Sequence, residues 1–293
     1  MNDESVRMVT DGPDPGVASP VPAGPPDAGS LARPGPARSP EDLANRFAAL
    51  GIDVPALTWH GDLAIGVPVA DFPCPAEEAI EWWRRLHAVA GRTGHQPVLV
   101  DPDRTVLFED PVLEELTWVP LGPTERLAQS AALDPVAVLN PKGATLNTID
   151  PDEVERWLQQ WPDDPRRIDQ LRLPYDCGQD GPVILALVPA AHNWQVPVLF
   201  SYGDFNGCPH PSVHGAALRH WQQRYGLDVV SMIRAAMEFA LSRPPRTRRD
   251  ALEFAWEYAG YCPDGFDMVY ETEDMGGMAA CLIDAEVLHA WWD

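Results

Sequence analysis

Residues 204–214 hold Asp204, Asn206, Cys208, His210 and His214, the densest group of chemically versatile side chains in this sequence. Two histidines four apart, with a cysteine two residues earlier, have the spacing of metal ligands. One reading is therefore a zinc or other divalent ion on Cys208, His210 and His214, completed by Asp204 or His220. A second makes Cys208 a nucleophile. It lies just before an expected helix start, where the dipole favours thiolate, and His214 would be its base. A third is a packed loop. His214, Leu218, Trp221 and Tyr225 recur at steps of four, three and four, which sets them on one helix face and turns His214 to the core. A neutral, hydrogen-bonded imidazole is ordinary there, with Pro209 and Pro211 shaping the helix entrance. The pattern favours this third reading, because a Cys/His cluster without a C-x-x-C pair is a weak signal.

Arg243, Arg246, Arg248 and Arg249 gather before and within the first turn of another expected helix, capped by Thr247. Cations there oppose the helix dipole and need acids or an anion. A solvated patch paired with nearby acids is the plainer expectation, and Arg246 and Arg249 would be the ones to meet a phosphorylated or carboxylate ligand. The pair Trp291-Trp292 ends an expected strand, so its two indoles face opposite sides. Either both faces of that strand are covered or one indole, such as Trp292, is an anchor for a partner, with Asn206 a further candidate for binding. The sequence has no G-x-S-x-G, G-x-x-x-x-G-K, G-x-G-x-x-G or H-E-x-x-H motif, and Lys142 is its only lysine. Common hydrolase, nucleotide-binding and zinc-protease chemistries are excluded, and no cofactor beyond a divalent metal is expected.

The elements that must position these residues read as follows. Residues 1–38 hold 8 Pro and 5 Gly with no aromatics, the composition of a disordered leader. Ser39-Pro40 starts a helix with Leu43, Phe47 and Leu50 on one face. Asp62 to Ala70 reads as a strand, and 76–90 as a strongly amphipathic helix stopped by Gly91. Pro97 to Val100 reads as a second strand, which makes residues 62–100 a β-α-β unit. Asp150 caps a short helix carrying Val154, Trp157, Leu158 and Trp161. Val183 to Val188 and Trp194 to Phe200 are β-rich runs. A helix at about 212–225 follows, then strands Leu227 to Ile233 and Met237 to Ser242, although Ile233 to Leu241 also fits a helix. The Thr247 helix, a short helix near 275–283 and a strand at Val287 to Trp292 complete the chain. The expected class is α+β: a C-terminal antiparallel sheet with helices packed on one face, preceded by a smaller β-α-β-containing domain. The expected segments are a leader (1–38), an N-terminal α/β domain (39–120), an acidic helical connector (121–182) and a C-terminal domain (183–293).

The C-terminal segment resembles a bacterial family called domain of unknown function 4253. The likeness is carried by Val183 to Pro189, Trp194-Gln195-Val196-Pro197 and Gly203-Asp204-Phe205-Asn206-Gly207-Cys208-Pro209. It continues through Val213-His214, Trp221, Arg224-Tyr225-Gly226, Arg243-Pro244-Pro245, Tyr261-Cys262-Pro263-Asp264 and Trp291-Trp292-Asp293. Phe205 stands where the pattern has Trp, and Arg234-Ala235-Ala236 lacks its turn Gly. The resemblance implies a fold and no reaction.

The chain has 293 residues, 45% hydrophobic, with 44 acidic against 21 basic side chains and a formal charge of −23. Such a field repels phosphate backbones and anionic lipid, so neither nucleic acid nor membrane is an expected partner. No apolar run reaches the roughly 18 residues that span a bilayer. Five cysteines, odd in number and widely spaced, suit reduced thiols in the cytoplasm. The expected function is a non-catalytic, immunity- or inhibitor-like module that binds a basic protein. The alternative is a metal- or cysteine-dependent enzyme centred on Cys208, His210 and His214.

Overall fold

Ser39 and Pro40 start the first helix, α1 (Pro40–Ala48), as their types require. Ser39 Oγ accepts the Asp42 amide at 3.2 Å, and Leu43 and Phe47 are buried. The computed structural model describes residues 34–61, 66–104, 106, 121–140, 144–171, 182–233, 235–272 and 274–292, which belong to one unit, Arg33–Asp293. The leader up to residue 33 and part of the strand expected from Asp62 lie outside the described residues. Strands form at β1 (Thr58–His60) and β2 (Val69–Cys74), so the extended segment centres further along than expected. After β2 come α2 (Ala76–His87), a short α3 (Ala90–Thr93) and β3 (Gln96–Val100). Helix α2 gives way before Gly91, and the chain reverses instead at Gly94. That residue has φ +75°, and a Cβ on it would lie 2.6 Å from the Pro34 carbonyl oxygen.

The acidic middle of the chain supplies α4 (Pro123–Ala132), α5 (Pro135–Leu139) and α6 (Pro151–Gln159), the last capped by Asp150 through the Asp152 amide at 3.0 Å. Beyond it lie β4 (Val183–Val188), α7 (Gln195–Leu199), α8 (Pro211–Tyr225) and β5 (Leu227–Ile233). The chain continues through β6 (Ala236–Leu241), α9 (Arg248–Tyr261), α10 (Gly265–Met268), α11 (Met275–Leu282) and β7 (Val287–Trp291). The run expected as a strand at Trp194 to Phe200 is helix α7. Its entry is fixed by Gln195, whose side-chain oxygen accepts the amides of Ala191 and His192 at 2.8 and 3.0 Å. Residues 236–241 take the strand alternative, and Ile233 pairs with Ala236 across the β5–β6 hairpin without a turn glycine.

The seven strands among the described residues share one sheet in the order β1-β2-β4-β3-β5-β6-β7. Strand β4 lies between β2 and β3 and runs antiparallel to both, so β2-α2-β3 is a split β-α-β unit. The boundary expected at residue 183 therefore runs through the middle of the sheet. Among the described residues only β3 and β5 pair in parallel, at Leu99 and Ser231. This mostly antiparallel sheet, with helices packed on both of its faces, is α+β. On one face lies the larger core, where Val98, Ile184, Val229, Met237 and Phe239 meet Leu218, Trp221, Phe254, Tyr258 and Leu282 of α8, α9 and α11. On the other face α1 and α2 bury Leu43, Phe47, Ala79, Trp83 and Leu86 against Phe72, Leu99, Leu185 and Leu187. Helix α4 packs on α7 and α8, α5 on α8 and α9, and α6 on α9 and α11.

The free edge of β7 is closed by side chains. The Tyr258 hydroxyl donates to the His289 carbonyl at 2.8 Å, and the Tyr270 hydroxyl accepts the His289 amide at 3.1 Å. Cys262 Sγ donates to the Trp291 carbonyl at 3.1 Å and accepts its amide at 3.3 Å. A row of backbone groups that would otherwise template another strand is thereby satisfied. A second side chain replaces backbone at the β5 bulge. Buried Asn193 donates to the Val229 carbonyl at 3.1 Å and accepts the Val229 amide, where the register with β6 shifts.

Candidate functional site

The residues of the 204–214 cluster are brought together at the junction of α7, α8 and α9, and they divide into an inner and an outer group. The connecting loop is wound by left-handed backbone at Ser201, Gly203, Asp204, Asn206 and Gly207. Gly203 has φ +125°, and a Cβ there would lie 1.9 Å from the Pro209 carbonyl oxygen and 3.1 Å from His214 Nε2. Only glycine permits that approach. The Asp204 amide donates to the carbonyls of Cys208 and Pro209 at 3.2 and 3.3 Å, closing the loop on itself.

The inner group is Cys208, His214, Tyr261, Tyr202 and Trp292. His214 is fully buried, on the same face of α8 as Leu218, Trp221 and Tyr225, as the spacing predicts. Its Nδ1 lies 2.7 Å from the Tyr261 hydroxyl and its Nε2 3.4 Å from Cys208 Sγ. The rings of Tyr202, Tyr261 and Trp292 meet it edge-on at 5.3–5.6 Å. Burial holds the imidazole neutral, its pKa lowered from 6.5 to about 3. Burial also pushes the Cys208 thiol up, with the nearby Cys262 and Asp204 adding to the shift. The position before α8 therefore does not produce a thiolate, because loss of solvent outweighs the helix dipole. The Tyr202 hydroxyl is buried with no partner among the described residues. Trp292 is a core residue: fully buried, it donates from Nε1 to the Tyr261 carbonyl at 3.2 Å and cannot anchor a partner.

The outer group faces solvent. His210 caps α8, its Nδ1 accepting the Ser212 amide at 3.1 Å, and its Nε2 lies 3.6 Å from Asp204 Oδ2. Asn206 is exposed. Capping occupies His210 Nδ1, and its ring is partly exposed where the Cys208–His214 pair is buried. Among the described residues no group of three or more His, Cys, Asp or Glu side chains is placed to hold a metal ion. His220 lies elsewhere, 3.1 Å from Glu257 of α9. That carboxylate also accepts from Trp221 Nε1 at 2.8 Å and Arg224 at 3.3 Å, while Arg224 reaches Asp250 and Glu253 as well.

The arginine cluster is satisfied internally. Arg243 donates to the Gln222 and Gln223 carbonyls at the end of α8, at 3.0 and 2.7 Å. Arg246 pairs with Asp284 at 2.7 Å, and Arg248 donates to the Leu158 carbonyl at 3.1 Å. Arg249 reaches Asn147 at 2.7 Å and Glu253 at 3.5 Å.

Sequence reasoning missed two buried carboxylates in strands. Asp71 on β2 is fully buried and accepts from Arg104 Nε at 2.7 Å and His60 Nε2 at 2.8 Å. Glu238 on β6 is nearly as buried, 3.2 Å from His289 Nδ1 on the paired strand. The signal lay in the sequence: each is a lone acid inside an otherwise apolar strand, Val-Ala-Asp-Phe and Ala-Met-Glu-Phe, where an unpaired charge would be costly.

An α+β domain with a glycine-wound loop folded over a buried Cys-His-Tyr cluster is the class that fold and site define. Residues 184–293 match the family model Domain of unknown function (DUF4253), which is the family their motifs resemble. No curated protein and no solved structure matches the chain.

Proposed function

We propose that the protein is a non-catalytic binding module, immunity- or inhibitor-like, that engages a basic protein partner through its acidic surface. The observation that carries this is the charge of −23, with 44 acids against 21 bases. Several of the arginines are engaged within the fold. One arginine, Arg224, is shared by three carboxylates, and Arg243, Arg248 and Arg249 spend donors on carbonyl or amide oxygens. Acids on α2 and around α6, among them Glu77, Glu81, Asp152 and Asp163, remain exposed. A field of one sign steers an oppositely charged protein and accelerates its association. Its sign disfavours nucleic acid and anionic membrane, and no helix among the described residues is long and apolar enough to cross a membrane. Work in the cytoplasm, with thiols reduced, belongs to the same proposal. The test is recovery of the tagged protein from its own cells at low salt. A stoichiometric partner rich in Lys and Arg, released by salt, supports the reading; a partner held equally at high salt, or no partner, removes it.

One observation favours a cysteine-dependent enzyme as the second reading. Cys208 Sγ, His214 Nε2 and Tyr261 stand in the order of nucleophile, base and orienting group. Enclosure of all three opposes it. A thiol that reacts faster than free cysteine at neutral pH would promote this reading.

A further inference from the structure

We propose that Asn206 is a site of spontaneous covalent modification, converting to isoaspartate through a succinimide, and that the product opens the loop covering Cys208. Of the asparagines in the chain, Asn206 alone is followed by glycine. The chemistry needs that neighbour. The backbone nitrogen of residue 207 must attack the side-chain carbonyl carbon of residue 206, and a Cβ on residue 207 would crowd the approach. The fold leaves both reacting groups uncommitted. Asn206 and Gly207 are exposed, and neither the Asn206 side chain nor the Gly207 amide has a hydrogen-bond partner among the described residues. Nothing lies within 4 Å of where a Cβ on Gly207 would stand, so the backbone rotation that brings nitrogen onto carbonyl meets no neighbour. The Asp264-Gly265 pair, which is open to the same succinimide chemistry, makes the contrast. There the Gly265 amide donates to the Cys262 carbonyl at 3.2 Å, and a Cβ on Gly265 would lie 1.9 Å from the Tyr258 hydroxyl oxygen, so that pair is locked.

Water is the only co-reactant. The Gly207 nitrogen bonds to Asn206 Cγ and gives its proton to hydroxide. The Cγ–Nδ2 bond breaks, and that nitrogen leaves as ammonia with a proton taken from water. Water then opens the succinimide. Opening at Cγ leaves aspartate. Opening at the main-chain carbonyl leaves isoaspartate, whose backbone runs through Cβ and Cγ and is longer by one methylene. The turn at this place has no room for that extra atom. Asn206 and Gly207, at φ +42° and +76°, are its central pair, and the Cys208 amide closes it on the Phe205 carbonyl at 2.6 Å. The Asp204 amide holds the same loop to the carbonyls of Cys208 and Pro209, and Cys208 Sγ lies 3.4 Å from His214 Nε2. Lengthening the backbone between residues 206 and 207 therefore breaks the closure one residue from the buried thiol.

The test is incubation of the full chain at mildly alkaline pH, beside a free peptide of residues 203–209, with peptide mass mapping and enzymatic methylation of isoaspartate as readouts. The expected result is a gain of about 1 Da at Asn206, chiefly as isoaspartate. Its rate should fall within about tenfold of the peptide's, since one exposed hydrogen bond is all the fold gives up on the way. Asn206→Gln should abolish the gain. In the aged chain Cys208 should react with a disulfide reagent about tenfold faster than in the fresh chain, through loss of the turn closure. Freshly made Asn206→Asp, which has the new charge without the extra methylene, should react as the fresh chain does. An Asn206 that outlasts the peptide's by more than about tenfold, or an equal gain in Asn206→Gln, overturns the modification site. An isoaspartate form whose Cys208 reacts no faster than before, or an Asn206→Asp chain that reacts as fast as the aged one, overturns its coupling to the loop.

Discussion

Acid should unfold this protein through His214, and the size of the effect follows from its surroundings. The ring is fully enclosed, touches Tyr261 and Cys208, and stays neutral until about pH 3 against 6.5 in the open chain. Between those values the unfolded chain binds a proton that the folded one refuses. Stability is therefore complete above about pH 6.5 and declines as pH falls, with the loss ending near pH 3. One such group costs about 1.4 kcal/mol per pH unit, so about 2.7 kcal/mol is lost over the two units down to pH 4.5. His95, also buried and lowered to about 4, adds a similar slope over most of that range. Urea unfolding of the native chain and of His214→Gln at half-unit steps from pH 7 to 4.5 isolates the His214 contribution. The variant will be weaker throughout, but its stability should fall by about 1.4 kcal/mol less per pH unit. Parallel curves for the two proteins, or an NMR titration placing His214 near 6.5, would refute the reasoning.

Three further outcomes are expected. The Cys208 thiol should react with a disulfide reagent at pH 8 more slowly than free cysteine, because burial raises its pKa, and a faster reaction would contradict its placement. Asn193→Ala should cost roughly 2–4 kcal/mol in urea unfolding, since it strands both backbone groups of Val229 in the core, and a loss below about 1 kcal/mol would show another partner there. Gly203→Ala should destabilise by at least about 2 kcal/mol and shift the Tyr261 and His214 ring signals, whereas Gly207→Ala, with nothing within 4 Å of its Cβ, should cost only its φ strain.

Local patterns carried much of the fold. Ser39, Asp150 and Thr247 are the caps their types predict, and the steps from His214 to Tyr225 marked the buried face of α8. Where apolar residues fill a run on all sides, periodicity has no contrast to report. Val196, Pro197, Val198 and Leu199 are all buried, so helix α7 had the appearance of a strand. The insertion of β4 between β2 and β3 depends on pairs such as Ala186 with Asp71 and Val98, far apart in the chain, and no local signal encodes it. At the site, the sequence brought Cys208 and His214 together correctly but could not see that His210 caps α8 outward while Trp292 closes the cluster from the end of the chain. Side chains standing in for backbone, as Asn193 and Cys262 do, are legible only once the strands they serve are in place.

The central claim is that acidic charge, not the Cys208–His214 cluster, does the work, and native mass spectrometry of the protein drawn from its own cells tests it most directly. The account predicts the chain bound at low salt to a second, basic chain, the complex dissociating as salt rises and unaffected by Cys208→Ala. The contradicting result is a chain without a protein partner that carries one metal ion or a covalent adduct, lost on replacing Cys208 or His214.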